Sequence, residues 1–151
     1  MVAYSFNPRF ELPILSGAKS GTIRAVGRRR HACAGETLQL YVGQRTRHCR
    51  LLGKAFCTSV DPIRIVIDNW WGKPKIVTID IGHHRAPSVF ALSLTGRDDI
   101  DAFARGDGFD DGWAMADFWW TTHRELIADG EILFDGVWVR WAPLGGPHDL
   151  D

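Results

Sequence analysis

The stretch Gly17-Ala18-Lys19-Ser20-Gly21-Thr22-Ile23-Arg24 brings an ammonium, a hydroxyl and a guanidinium together within one short segment. Alternate side chains of an extended segment share a face, so Thr22 and Arg24 are predicted to point the same way. Lys19 precedes them at the end of a predicted helix, and its long side chain can swing its amine over that face. Such a cluster suits a phosphate, a carbonyl or a nucleobase.

The residues around this stretch predict a short helix over residues 8–15 followed by a mostly β region. Asn7 can cap the helix, Pro8 suits its first position, and Gly17 suits the left-handed position that ends it. Alternation of apolar and polar residues then predicts strands. They cover residues 21–25, 37–42, 48–60, 63–69, 75–81 and 132–141, with a basic loop at 27–31, a bulge at Gly53 and a turn at 70–74.

The second half of the chain adds two predicted helices. One covers residues 98–105, and a longer one begins after Asp110 or Asp111 and ends near residue 123 or 126. Its apolar stripe has helical spacing and consists of Phe109, Trp113, Ala116, Trp120 and Ile127. Together the elements predict one α+β domain covering the whole 151-residue chain, a small and mostly antiparallel β-barrel with peripheral helices.

Length and composition exclude several classes of protein. A chain of 151 residues with 45% apolar residues can bury a hydrophobic core and is not disordered or fibrous. The longest apolar runs are only a few residues, so we expect no membrane-spanning segment. No basic segment followed by an apolar one opens the chain, and three cysteines do not make a disulfide framework. We therefore expect a cytoplasmic protein with buried, reduced cysteines.

The charge is divided unevenly between the two halves of the chain. Residues 1–75 contain thirteen Lys or Arg and four Asp or Glu, a net charge of +9, and residues 76–151 balance it with −9. One interpretation is a basic face of the kind that binds nucleic acid. The other is that the two halves neutralise each other across the fold. Position along the chain does not decide between them.

Several motifs resemble the ASCH domain family. The pattern G-x-K-x-x-T-x-R at residues 17–24 follows a short helix, and the Gly-Glu-x-Leu segment at 35–38 opens the next strand. The Asp-Gly-Phe segment at 107–109 leads into a helix bearing Phe-Trp at 118–119, and the closing strand at 134–141 is similar to that of bacterial members. Together these segments cover most of the chain in the order of the family.

The resemblance implies a PUA-like fold and binding of RNA or a modified ribonucleoside in a cleft around the first motif. Some small bacterial ASCH proteins are amidohydrolases that remove an acyl group from N4-acylated cytidine, and others have been described as ribonucleases. The amidohydrolases use a motif lysine, a motif threonine and a downstream acidic residue. These map onto Lys19, Thr22 and Asp107, where the aspartate stands in place of a glutamate that is one methylene longer.

The same cluster can serve either binding or amide cleavage. For cleavage, Thr22 needs a base, and Lys19 acts as one only if burial or the neighbouring Arg24 lowers its pKa. Asp107 would then orient the lysine or carry a proton to the leaving amine. For binding, Lys19 and Arg24 hold a phosphate while Thr22 donates to it or to a base. Because one fold hosts several functions, we place binding first, an amidohydrolase second and a metal-assisted ribonuclease last.

Further residues are predicted to contact the ligand. Arginine groups at 28–30 and at 45, 47 and 50 can bind phosphates of an RNA backbone, although charge runs are also typical of solvated loops. Trp70, Trp71 and Trp119 either stack on a base or cover the core. The predicted binding residues outside the catalytic set are Gly17, Gly21, Arg24, Arg28, Arg29, Arg30 and Tyr41.

No metal or cofactor site is predicted. The chain has no Cys-x-x-Cys pair, and alternation places adjacent His48 and Cys49 on opposite strand faces. The pair His83-His84 can hold a metal or a phosphate, although exposed histidines usually hold neither.

Overall fold

The structure, a computed structural model, describes residues 1–83 and 86–144. Within these ranges the strands form one curled sheet, and the helices contribute buried residues to the same hydrophobic core as the strands. The strands are β1 Val2–Phe6, β2 Gly21–Ala25, β3 Thr37–Val42, β4 Arg50–Asp68, β5 Lys75–His83, β6 Ala86–Leu94, β7 Ile127–Ala128 and β8 Glu131–Trp141. The helices are α1 Glu11–Ser16, α2 Arg97–Gly106 and α3 Gly112–Thr122, with 3₁₀ turns at Pro8–Phe10 and Arg124–Leu126.

The long strand β4 organises the sheet. Its first part pairs with β3, its second part pairs with β5, and β8 pairs with it from Cys57 to Asp68. The two strands predicted over 48–60 and 63–69 are therefore one continuous strand. Its register with β3 shifts beside Gly53, as predicted for a bulge.

The sheet curls into a half-barrel, which confirms the predicted α+β class. Its strands pair antiparallel with one exception, because β1 runs parallel to β3. Among the described strands, β1 pairs only with β3 and β2 only with β8, so each keeps one free edge. The Arg24 guanidinium of β2 donates from Nη2 to the Ser5 carbonyl of β1 at 2.7 Å. A side chain, not a strand ladder, thus links these two edges.

The core fills the concave side of the half-barrel. The predicted alternation in β4 is confirmed, since Ile63, Ile65 and Ile67 are almost wholly buried. Leu38 and Leu40 of β3 are also fully buried. No helix within the described ranges is long and apolar enough to cross a membrane.

The predicted apolar stripe of the long helix is wrong by part of a turn. The buried residues of α3 are Gly112, Met115, Ala116 and Trp119, whereas Trp113 and Trp120 are only partly buried. The cause is close packing at Gly112, where an added Cβ would lie 2.9 Å from Cγ2 of Ile100 in α2. This contact sets the rotation of α3 and turns Trp119 inward.

The cysteine prediction is also partly wrong. Cys57 is buried in β4, but Cys33 and Cys49 are exposed, and all three thiols are free. The two exposed cysteines lie in the loops on either side of β3, at the surface.

Gly136 of β8 is predicted to tolerate no larger side chain. An added Cβ would lie 2.6 Å from the Phe134 ring and would also meet the Arg24 carbonyl. We expect Gly136→Ala to lower the free energy of unfolding by about 1–3 kcal/mol through overpacking, measured by urea denaturation. Gly106→Ala, with nothing within 4 Å of its new Cβ, is the control and should change stability by less than about 1 kcal/mol. Equal stabilities of the two variants would contradict the prediction.

Candidate functional site

A cleft of about 500 Å³ opens where β1, β2, β8, α3, the two 3₁₀ turns and the turn after α2 meet. Its volume lies in the range of small-molecule pockets. Its floor carries Lys19, Thr22, Arg24 and Asp107, so the structure brings together the four residues that the sequence placed in one cluster. Its wall is aromatic and consists of Phe6, Phe10, Phe109, Phe118, Trp119 and Phe134.

A buried ion pair forms the deepest part of the cleft. The Lys19 ammonium donates to Oδ1 of Asp107 and to its backbone carbonyl, both at 2.8 Å. Only 3% of the Lys19 side chain and 9% of the Asp107 side chain are exposed. The ammonium also lies 4.8 Å from the centre of the Phe10 ring. The pair therefore sits in an environment with little water, where each charge depends on the other.

The C-terminus of α2 explains why Asp107 presents two acceptors to one lysine. Gly108 has a φ of 98°, and the amides of Gly108 and Phe109 donate to the carbonyls of Arg105 and Ala104. This is a Schellman motif, which closes a helix with a left-handed residue. The turn leaves the Asp107 carbonyl facing the cleft, and the negative end of the helix dipole favours the ammonium there.

Arg24 holds Thr22 and spans the wall of the cleft. Its Nε donates to Oγ1 of Thr22 at 3.0 Å, and its guanidinium lies about 5 Å from the centres of the Phe6 and Tyr4 rings. Because the Thr22 oxygen accepts this bond, the hydroxyl proton of Thr22 is available to a ligand. Thr22 is itself buried.

Burial shifts the pKa of every charged group on the floor. Desolvation lowers the pKa of Lys19, and Arg24 lowers it further, while Asp107 opposes the change. Desolvation raises the pKa of Asp107, and the two cations oppose that shift. The pKa of Arg24 is lowered by burial from its usual value. Burial thus brings the pKa values of Lys19 and Asp107 closer together.

No hydrogen bond among the described residues joins Lys19 to Thr22, as one would join a base to its nucleophile. The hydrogen bonds of the Lys19 ammonium go to Asp107, and Oγ1 of Thr22 is hydrogen-bonded to Arg24. For Lys19 to accept the Thr22 proton, it would first have to leave Asp107.

Most of the aromatic wall and the rim were not predicted from the sequence. Trp119, predicted either to stack on a base or to cover the core, lines the cleft and packs against Phe134 with ring centres 4.9 Å apart. His123 and Glu125 stand on the rim beyond the end of α3, with Nδ1 and Oε1 3.5 Å apart. The Phe-Trp pair at 118–119 was the available signal, since both side chains face the cleft.

A second depression, the basic groove, runs between the free edges of β1 and β2. It has a volume of about 330 Å³ and shares Ser5, Arg24 and Ala25 with the cleft. The described residues lining it include no carboxylate. Its basic residues are Arg24, Arg29, Arg30, His31 and Arg45.

The predicted arginines differ in their placement. Arg29 lines the groove without an ion pair among the described residues, and Arg30 lines it while bound to both oxygens of Glu36. Arg28 is exposed outside the groove. Arg50, from the second predicted group, pairs with Glu11.

Three other predicted binding residues lie outside both the cleft and the groove. Gly17 ends α1 with a φ of 84° and faces Pro143. Gly21 packs against Trp138, whose Nε1 would lie 2.9 Å from an added Cβ. Tyr41 lies on the face of β3 opposite buried Leu40 and Val42, so its register turns it away. These positions assign the two glycines to packing and turn geometry.

Two further predicted candidates remain apart from the cleft. Trp70 and Trp71 stand at the tip of the β4–β5 hairpin, 65% and 92% exposed. Within the described residues, no group of three or more His, Cys, Asp or Glu is arranged to hold a metal. His84 of the predicted His-His pair lies outside the described residues.

Comparison of the chain with protein-family models, with curated proteins and with solved structures found no match in any of the three. We therefore infer the function of the chain from the residues of the cleft and the groove.

The Lys19–Asp107 pair generates a test of its own. Removing one partner leaves a buried charge uncompensated, so Lys19→Met and Asp107→Asn are each expected to lower the free energy of unfolding by about 3–5 kcal/mol. The double variant should lose less than the sum of the two, measured by urea denaturation. Arg64→Met, which breaks the exposed pair with Asp135, is the control and should cost less than about 1 kcal/mol. Additive losses in the double variant would contradict this account.

The ion pair beside the groove predicts a pH dependence. Hydrogen bonds from Arg30 and from the Cys33 amide lower the pKa of Glu36 from 4.5 to about 2. Because the folded pKa lies below the unfolded one, the pair contributes fully above pH 4.5 and is lost as the pH falls towards 2. NMR titration of the Glu36 carboxyl carbon should give a midpoint near pH 2, and Arg30→Ala should raise it. A midpoint that Arg30→Ala leaves unchanged would contradict the assignment of the lowered pKa to Arg30.

Proposed function

We propose that this chain is an ASCH-type domain of PUA-like fold that binds RNA or a modified ribonucleoside, with one base in the cleft. The observation that carries the proposal is the combination of a polar floor and an aromatic wall in one pocket of about 500 Å³. Unpaired bases are typically bound by stacking on aromatic side chains and by hydrogen bonds to their edges. The curled half-barrel with three helices packed on it supports the PUA-like assignment.

The floor supplies both donors and an acceptor to a base. The Thr22 hydroxyl proton is free to donate, and the Arg24 guanidinium donates alongside it. Asp107 uses Oδ1 for Lys19 and keeps Oδ2 as an acceptor. A carbonyl oxygen or ring nitrogen beside an exocyclic amine complements this set. Cytosine presents such an edge, with O2, N3 and the N4 amine.

The hydrogen bonds of the floor favour binding over cleavage. A threonine nucleophile needs a general base in contact with its hydroxyl. In this cleft the Thr22 oxygen accepts from a guanidinium, and Lys19 is held by Asp107. The resting arrangement therefore suits a site that presents donors to a ligand.

One observation favours an amidohydrolase as the second candidate. Lys19, Thr22 and Asp107 all line the same cleft, and burial lowers the pKa of Lys19 in the direction that a base requires. In such an enzyme a substrate would displace Lys19 from Asp107, and Arg24 would hold the oxyanion. The substrate class would be N4-acylated cytidine.

Binding of N4-acetylcytidine and cytidine tests the proposal, with intrinsic tryptophan fluorescence, to which Trp119 contributes, as the readout and chromatography to detect cytidine release. We expect saturable binding without turnover. Thr22→Val should weaken binding about fivefold through the loss of one hydrogen bond. Thr122→Val is the matched control, because Thr122 lines the same cleft but donates its hydroxyl to the Phe118 carbonyl.

Three outcomes separate the alternatives. Binding that Thr22→Val weakens and Thr122→Val does not would support the proposal. Cytidine release that Lys19→Ala and Thr22→Ala both abolish would establish the amidohydrolase instead. Failure of the folded wild-type protein to bind either nucleoside would overturn the assignment of the cleft.

A further inference from the structure

The basic groove lies next to the cleft, but a free nucleoside would leave it unused. It runs along the unpaired edges of β1 and β2, and arginines contribute most of its charge. A neutral nucleoside has no phosphate to place there. The positive charge of the groove therefore indicates a ligand that extends beyond one base and its sugar and carries negative charge there.

We propose that the basic groove binds the phosphodiester backbone of a single-stranded RNA whose unpaired base lies in the cleft. The inference rests on the proposed function of the cleft and narrows its ligand from a nucleoside to a nucleotide within a strand. The ligand is recognised in two places, the base by the cleft and the adjoining phosphates by the groove.

Arg24 makes the two sites continuous. Ser5, Arg24 and Ala25 line both the cleft and the groove, and the Arg24 guanidinium is fixed by bonds to Thr22 and to the Ser5 carbonyl. Its Nη1 donates to none of the described residues, so it remains for a ligand. In a nucleotide the phosphate is one sugar away from the base. A base on the Thr22 side thus places its phosphate on the Arg24 side.

Arg29 and Arg45 provide uncommitted charge farther along the groove. Both are exposed, and neither has an ion-pair or hydrogen-bond partner among the described residues. Arg30 contributes less, because Glu36 holds it with two bonds of 2.6 and 2.9 Å. The groove therefore offers a polyanion two unpaired arginines, Arg29 and Arg45, and a third, Arg30, whose charge Glu36 neutralises.

The backbone places these arginines in ordered positions. Arg45 has a φ of 69°, a left-handed conformation that is strained for a non-glycine residue. The turn is held by Thr46, whose amide and hydroxyl both donate to the Gly43 carbonyl, and by the Gln44 amide, which donates to Ser5. A strained arginine held beside a groove is a feature expected of a binding site.

His31 fixes the loop that carries Arg29. Its Nε2 donates to the Ala25 carbonyl at 2.7 Å, and its Nδ1 lies 3.1 Å from the Tyr4 hydroxyl. The imidazole also stacks on the Tyr4 ring with an angle of 10° between the planes. The loop is therefore tied to both edges of the groove, which limits the entropy lost when a phosphate binds.

The test measures binding of three probes by fluorescence anisotropy at several salt concentrations. The probes are a labelled ten-nucleotide RNA of one arbitrary sequence, the same RNA annealed to its complement, and a labelled polyglutamate peptide of equal length. Arg29→Ala/Arg45→Ala should weaken binding of the single strand at least tenfold. It should also reduce the slope of log K against log salt concentration by about 1.4, because each phosphate contact with a single strand contributes about 0.7 and two contacts are lost.

Matched variants isolate the groove from general charge loss. Arg28→Ala/Arg47→Ala removes the same charge from neighbouring exposed positions outside the groove and should change the slope by less than half as much. Glu36→Gln should free Arg30 and strengthen binding of the single strand. This gain keeps the test decisive even if an alanine variant folds poorly. Affinity for N4-acetylcytidine should stay within twofold of wild type in all three variants.

The outcomes distinguish failure of this inference from failure of the proposed function. If the protein binds the nucleoside, but binds the single strand no more tightly than the nucleoside and without salt dependence, the assignment of the groove to RNA is wrong and the assignment of the cleft stands. Strand binding that depends on Arg29 and Arg45, without any nucleoside binding, would overturn the base in the cleft and with it this inference. Equal binding of the duplex, or of polyglutamate, would show that the groove is a general polyanion or peptide site and would also overturn it.

Discussion

The two hydrogen bonds from the Lys19 ammonium to Asp107 connect distant parts of the chain at the bottom of the cleft. The lysine precedes β2, and the aspartate ends α2, 88 residues later. Because both groups are buried, neither charge is stable without the other, and the end of α2 is fixed against the start of β2. The position of α3 follows, since it begins a few residues after this turn. The aromatic wall of the cleft depends on that position.

Arg24 extends this arrangement to the open side of the half-barrel. It binds Thr22 within its own strand and the Ser5 carbonyl on the opposite free edge. A strand pairing at this point would have closed the sheet and buried both edges. A side chain in its place leaves an opening in which the cleft and the basic groove meet. The open edge of the sheet therefore provides the space in which the two depressions join.

The uneven charge of the two halves of the chain is partly neutralised in the fold. Two ion pairs, Lys19–Asp107 and Arg64–Asp135, join the basic first half to the acidic second half. The groove is a basic face, since Arg29 and Arg45 line it without acidic partners among the described residues. The charges are thus neutralised in the core and on part of the surface, while the groove keeps unpaired positive charge.

The sequence by itself determined the local elements, because caps, left-handed glycines and alternation act over a few residues. It placed β2, β3 and the end of α1 at Gly17, although the predicted start of that helix is a separate 3₁₀ turn over Pro8–Phe10. It gathered Lys19, Thr22 and Arg24 as one cluster and added Asp107 through the ASCH resemblance. Only the tertiary structure decided the rotation of α3, which depends on the contact of Gly112 with Ile100. It alone separated Arg29 from Arg28 and turned Tyr41 away from the cleft. Such choices depend on which surfaces approach each other, and no local pattern records them.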